Sequence, residues 1–319
     1  MFELIFLGTS ASAPSIRRGL SAQIVLHREY RFLIDCGEGT QRQILRSQLG
    51  FKRLTRILLT HGHLDHILGL GGLVSTLSRW EAMDHIEIYG GAWALERVHD
   101  LIFGVALRGP RPPMRIELIE IKPGLLLEDE GFELRVFPVS HRGSGCFGFA
   151  FCEKARRPFL NEVAEDLGVP RGPERRDLVQ GRSVTLPDGR VIHPDQVLGP
   201  PRPGAKLIHV GDAGRTDDLV EYVRDADALV IESTYLSYEA DLARQFGHLT
   251  AVQAARLARD ANVRQLYLTH ISRRYREKDV LAEAAAIFPQ VTVARDFDHV
   301  RVTKEIKDTC TASAARCKC

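Results

Sequence analysis

Three histidines and one aspartate fall within six residues, as His61-Gly62-His63-Leu64-Asp65-His66. Imidazole nitrogen and carboxylate oxygen are the donors that borderline cations such as zinc accept, and a neutral imidazole has a lone pair to give. One turn of chain this short cannot aim all four groups at a single ion. The pairs His61/His63 and Asp65/His66 instead suit two neighbouring ions, each completed by ligands from elsewhere. The competing interpretation is a polar surface turn that happens to be rich in histidine. With only 12 histidines in 319 residues, chance is a weak explanation for the cluster.

Apolar runs bracket these residues: Ile57, Leu58 and Leu59 before them, Ile67, Leu68 and Leu70 after. They predict a buried strand that stops at Thr60, a tight glycine-containing turn, then an apolar helix or second buried element. Further candidates share that placement just past a buried run. His141 follows a strand over 132–139, Asp212 one over 206–210 and His270 one over 266–269. A carboxylate at Asp212 can bridge two cations with its two oxygens, which an imidazole cannot. A lone histidine at a strand end is more often structural, and it is the placement shared with His61 that favours ligation by His141. LYLTH (266–270) echoes ILLTH (57–61). Two halves of the chain thus each deliver a histidine from a buried strand end, which predicts a pseudo-twofold αβ/βα arrangement of the α/β class. Glu232 ends a buried strand over 228–231, and His248 precedes a helix over 251–261. The residues alone leave His248 open as a third ligand, a structural histidine or a general acid.

The composition suits one large core or two small ones: 319 residues, 44% hydrophobic and 26% charged. A net charge of +2 means that nucleic-acid binding must come from local basic clusters and not from a global field. No apolar run approaches the ~18 residues of a membrane span, so no membrane partner is expected. MFELIFLGTS lacks a basic segment before its apolar residues and is expected to be a first strand, not a signal peptide. Six cysteines, Cys36, Cys146, Cys152, Cys310, Cys317 and Cys319, are too irregularly spaced for a disulfide framework. Reduced thiols in a cytoplasm are expected.

The first strands are expected over 2–7, 22–27 and 31–34, with Pro14 and small residues making a loop between the first two. Arg17 and Arg18 there could hold an anion or form a solvated pair. Gly37-Glu38-Gly39-Thr40 opens a helical segment through Leu49. Gly69, Gly71 and Gly72 lack the lysine and spacing of a phosphate loop, so helix–strand packing explains them better. A strand over 85–89, a helix over 92–106, a Pro/Arg-rich turn and strands over 115–121 and 132–139 follow. From about residue 153 to 205 the periodicity weakens while Pro, Gly and Arg accumulate. So long a structureless loop is implausible in a compact domain. It predicts an inserted module for substrate capture, against a plain solvated excursion. A helix over 216–225, a helix after ISRRYREKD and strands over 291–294 and 299–302 complete the chain. In the tail after residue 306, Cys310, Cys317 and Cys319 could bind metal, although a frayed terminus is the simpler interpretation.

HxHxDH is the motif of the metallo-β-lactamase superfamily of metal-dependent hydrolases, and residues 61–66 resemble it at every specified position. Over residues 1 to about 305 the chain further resembles the tRNase Z (ribonuclease Z) family, short form. FLGTSASAP with Arg18, IDCGEGTQ, THGHLDHILGL, PVSH, VGDAGRT, IESTY, GHLT and LTHISRRY resemble the family's motifs in order. The inserted LGVPRGP…LVQG…VTLPDGR…VLGPPRPG resembles its exosite arm, which grips the tRNA body. Gly19, Ala213 and Leu249 depart from the usual Asn, Thr and acidic or small residue, and none is a ligand.

The resemblance implies a metallo-β-lactamase-type sandwich of two mixed sheets over 1–306, an exosite arm at 153–205 and a tail at 307–319. It implies one zinc at His61, His63, His141 and Asp212, and a second at Asp65, His66, His270 and Asp212. Asp65 would take the proton of the attacking water, and His248 supported by Glu232 would donate one to the leaving oxygen. Arg18, Gly172, Pro173 and Arg274 would contact substrate. The implied activity removes the 3′ trailer of precursor tRNA, leaving a tRNA 3′-hydroxyl and a trailer 5′-phosphate, in a cytoplasmic homodimer. Two alternatives remain: a hydrolase of small phosphodiesters or sulfate esters, which would have no use for a remote arm, and a non-catalytic RNA-binding relative, which would be expected to have lost ligands.

Overall fold

Long runs such as Phe2–Gly8, buried at six of seven positions, can only be strands covered on both faces. The computed structural model describes residues 1–80, 83–109 and 114–304. Cys310, Cys317 and Cys319 of the tail, with residues 110–113 of the Pro/Arg-rich turn, lie outside the described residues. The first sheet is built from β1 (Phe2–Gly8), β2 (Ala22–His27), β3 (Tyr30–Ile34), β4 (Arg56–Leu58), β5 (His85–Gly90) and β6 (Arg115–Glu120). The last strand of the chain, His299–Val302 (β16), joins its edge, giving the order β16-β1-β2-β3-β4-β5-β6. From β3 to β6 the strands are parallel.

The second sheet repeats the plan. Gly124–Glu128 (β7), Phe132–Pro138 (β8) and Phe147–Glu153 (β9) are antiparallel. Lys206–His209 (β12), Ala228–Glu232 (β13), Leu266–Thr269 (β14) and Val291–Val293 (β15) are parallel. Its order is β15-β14-β13-β12-β9-β8-β7, so each sheet carries three antiparallel strands followed by four parallel ones. Phe2, Phe6, Phe32, Phe149 and Phe151 fill the space between the sheets. Each such ring contributes roughly 1.5–3 kcal/mol by leaving water. The outer faces are covered by helices. On the first sheet the helix Leu70–Trp80 presents Leu70, Leu73, Val74 and Leu77 at helical spacing. On the second lies the helix Ala251–Asp260, started by a reciprocal Thr250–Gln253 cap. The two matched sheets form the αβ/βα sandwich expected from the LLTH/YLTH echo.

Several elements differ from expectation. The helix expected over 92–106 is an α-helix only to His99 and continues as a π-helix over Asp100–Ala106. The helix expected over 216–225 is a single turn, Val220–Val223. β7, β9 and the helix Ala240–Phe246 were not anticipated. Gly69 has the packing role expected, since a Cβ there would stand 2.0 Å from the Gly37 carbonyl oxygen.

Residues 153–205 form a module with its own small core of Ala164, Val169, Leu178, Val184, Leu186, Ile192 and Val197. Its two chain segments pair at Arg156↔Arg202 and Phe159↔Leu198, making a stalk. The hairpin foreseen in VTLPDGRVI joins Val184–Thr185 (β10) to Val191–Ile192 (β11). The balance of charges is local: Arg157–Asp195, Arg171–Glu165, Arg182–Asp177 and Arg190–Asp188 are ion pairs. Among the described residues Cys36, Cys146 and Cys152 are free thiols, and no helix is long and apolar enough to cross a membrane.

Candidate metal centre

The carboxyl ends of the parallel strands from both sheets meet at one edge of the sandwich. β3 leads to Asp35, β4 to Thr60-His61, β12 to Asp212, β13 ends at Glu232 and β14 leads to His270. His63 caps the one-turn helix Leu64–Ile67, which carries Asp65 and His66, and His141 lies past β8. All seven anticipated ligands are brought together. His61, His63, His141 and Asp212 each offer an atom to one group, with Asp65, His66 and His270 in a second.

Distances within the two groups fit cations. Four donors ~2.0–2.2 Å from a tetrahedral zinc stand roughly 3.3–3.6 Å apart. In the first group His63 Nδ1 lies 2.9 Å from His61 Nε2 and 3.3 Å from His141 Nε2. Asp212 Oδ2 is 3.8 Å from both Nε2 atoms. In the second, His270 Nε2 is 3.2 Å from Asp65 Oδ2, and His66 Nε2 is 3.7 Å from it. Asp212 Oδ2 is 3.4 Å from each of those nitrogens, so this carboxylate faces both groups. His66 Nε2 and Asp212 Oδ1 are buried without a hydrogen-bond partner. Such orphaned groups cost free energy unless something binds them, and a cation would. The donor set therefore fits a pair of metal ions.

Outer groups aim the ligands. His66 Nδ1 donates to Asp35 Oδ2 at 2.7 Å, and His141 Nδ1 donates to the Gly247 carbonyl at 2.7 Å. His61 Nδ1 meets Thr60 Oγ1 at 3.0 Å, and that hydroxyl donates to Asp35. Likewise His270 Nδ1 meets Thr234 Oγ1 at 2.9 Å, and that hydroxyl donates to Glu232. Each contact turns Nε2 toward the centre. At His66 burial opposes charge but the carboxylates of Asp212, Asp35 and Asp65 raise the pKa, and a cation would take the place of the proton. Asp35 and Glu232 are thus matching buried anchors, one per half. Asp35 and His270 have positive φ, 57° and 55°, a conformation that turns each side chain inward at a backbone cost.

Charge follows burial and neighbours. Burial, with His66 nearby, drives the His61 pKa well down, and burial with His141 lowers His63 to about 4. These imidazoles are neutral and able to bind a cation. Burial opposes charge on Asp212, but His270 and His66 outweigh it and hold the carboxylate ionised. Burial also opposes a charged His248. Glu232, 2.9 Å from its Nδ1, prevails with Asp212 and lifts the pKa to about 9. Its Nε2 is left to carry a proton toward the cleft of about 540 Å³ lined by His63, Asp65, Arg142, Tyr235, Phe246 and His248.

The remaining candidates lie apart from this cluster. Arg18 donates to Thr9 Oγ1, the Ala294 carbonyl and Glu277, so its guanidinium braces the loop between β1 and β2. Arg17 beside it is exposed. Arg274 pairs with Glu239 on the surface, and Gly172 and Pro173 begin a helix of the arm. Asp35, Thr60, Thr234 and the Gly247 carbonyl were missed as functional groups. Only Asp35 carried a signal, an acidic residue just past a buried strand as Asp212 is. Replacing Asp35 with Asn should weaken metal binding ~10–100-fold without removing a ligand. A chelator-competition titration measures this, and unchanged affinity would remove Asp35 from the centre.

Matches to the model of the metallo-β-lactamase superfamily over residues 17–157, and to that of the β-lactamase superfamily domain over 196–271, agree with this fold and donor set. They leave between them most of the arm. Fold and centre are those of a metallo-β-lactamase-type hydrolase. The chain is 50% identical over 302 residues to ribonuclease Z of Bradyrhizobium diazoefficiens, covering 95% of this chain and 100% of that one. Ribonuclease Z of Archaeoglobus fulgidus is 39% identical over 308 residues, covering 95% and 98%. The crystal structure of human tRNase Z, short form, superposes with a TM-score of 0.66 at 27% identity, over 94% of this chain and 98% of that one. The chain belongs to the ribonuclease Z family.

Proposed function

We propose that this tRNA 3′-processing endoribonuclease cleaves precursor tRNA at a centre of two zinc ions. His61, His63, His141 and Asp212 would hold one, and Asp65, His66, His270 and Asp212 the other. Bound there, the metals supply Lewis-acid stabilisation of the phosphate and a nucleophile from water at neutral pH. Asp65, ionised at the cleft wall, takes the proton of the attacking water. His248, charged and oriented by Glu232, donates a proton to the departing ribose 3′ oxygen. Attack on phosphorus breaks the bond to that oxygen, leaving a 3′-hydroxyl on the tRNA and a 5′-phosphate on the trailer. The observation that carries this mechanism is Asp212 Oδ2 facing both donor groups, with the His248–Glu232 pair beside it. Incubating the protein with a 3′-extended tRNA transcript and mapping both new ends tests it. A cut with a 2′,3′-cyclic phosphate, or no cut at the tRNA–trailer junction, would contradict it.

The arm, with its separate core and stalk, supports capture of the tRNA body, with Gly172 and Pro173 at the contact surface. Arg18 acts by holding its loop, and Arg274 meets RNA on the surface away from the centre. A homodimer in the cytoplasm completes this reading, and sedimentation equilibrium measures the first part of it. Excising 157–201 and closing the stalk with a short glycine linker should cost tRNA cleavage at low substrate. Hydrolysis of bis(p-nitrophenyl) phosphate should persist. Equal loss of both in a folded, metal-loaded variant would remove the capture role.

A further inference from the structure

The loop Phe246-Gly247-His248 ends the helix Ala240–Phe246 and performs two tasks already described. The Gly247 carbonyl holds His141, and His248, paired with Glu232, is the proton donor proposed above. Phe246 has neither task, yet it stands 40% exposed in the wall of the cleft. Arg142 lies over its ring at 5.9 Å. No carboxylate among the described residues pairs with that guanidinium, whereas the arm's arginines are mostly paired. The stem of Arg142 packs on Gly247, where a Cβ would stand 2.8 Å from Arg142 Cγ, and Gly247 itself needs its positive φ of 71°. An exposed ring and an unpaired guanidinium are thus fixed together two residues from the proton donor.

From this juxtaposition we infer that Phe246 and Arg142 seat the last retained nucleotide of the tRNA. The base stacks on the Phe246 ring, and the Arg142 guanidinium meets the phosphate on its 5′ side. The assignment to the tRNA side, and not the trailer, follows from His248. The oxygen that His248 protonates is the 3′ oxygen of that nucleotide, so its sugar lies against the wall His248 shares with Phe246. Stacking on an aromatic ring tolerates any base, as a substrate class sharing a junction but not a sequence requires. The inference rests on the reaction proposed above.

Direct titration with mature tRNA ending in a 3′-hydroxyl reads the seat without turnover. Phe246→Ala should weaken that binding, and raise KM for precursor tRNA, by about 5- to 150-fold, the range for one lost base stack. Phe246→Trp should restore both. Arg142→Ala should weaken both as well, with a shallower salt dependence for the lost phosphate contact. Metal content and thermal midpoint, measured alongside, show whether the centre and fold survive. A higher KM with unchanged binding of mature tRNA would place the seat on the trailer side and overturn the assignment. Unchanged values in both measurements would remove the seat altogether. If the wild type binds mature tRNA through Phe246 but cuts nothing, the seat stands and the proposed reaction fails.

Discussion

Asp212→Ala should leave the protein with neither metal site at useful affinity and should abolish cleavage. Its Oδ2 faces both groups, 3.4 Å from His66 Nε2 and from His270 Nε2 and 3.8 Å from His61 and His141. Loss of an outer-shell partner typically costs ~10–100-fold in metal affinity. Loss of a ligand common to two ions should exceed that at both. His141→Ala is the contrast, because His141 belongs only to the first group and should empty mainly that site. Elemental analysis of both variants checks the pair. Two fully occupied ions in Asp212→Ala would end the bridging assignment.

His248→Ala should lose ~10²–10⁴-fold in kcat on precursor tRNA where chemistry limits the rate, the usual contribution of a general acid. A ribose 3′ oxygen is strongly basic and needs a proton as it leaves, whereas a nitrophenolate departs without one. The same variant should therefore lose much less on bis(p-nitrophenyl) phosphate while keeping its metal. Glu232→Gln should lose less on precursor tRNA than His248→Ala, and should also weaken metal binding through Thr234 and His270. Glu232 accepts from His248 Nδ1, the Ala213 amide and Thr234 Oγ1. Loss of metal would make His248 a ligand, and equal losses on both substrates would make it structural.

The clustering of the seven candidate donors was legible because they fall just past buried apolar runs, a rule visible in one dimension. Parallel strands gather their carboxyl ends at one edge whatever their order, so His61, Asp212 and His270 meet without the sequence stating how. What stayed hidden was the support. Thr60 and Thr234 hold histidines through single hydroxyls, and Gly247 holds His141 through a carbonyl that every residue possesses. Asp35 was passed over because Gly37 and Gly39 made its segment look like a turn alone. β9 was missed although FGFAFCE is apolar, since the glycine-rich HRGSG before it obscured where the strand began. The arm was legible as a break in periodicity, but its seven-residue core depends on pairings across the stalk that no local pattern displays.

Stepwise return of zinc to chelator-stripped protein, with precursor tRNA cleavage followed at each addition, shows how many ions the reaction needs. Two donor groups sharing Asp212 predict no cleavage without metal and full activity only as zinc reaches two equivalents per chain. Cleavage by the stripped protein, or saturation at one equivalent, would contradict the two-metal centre.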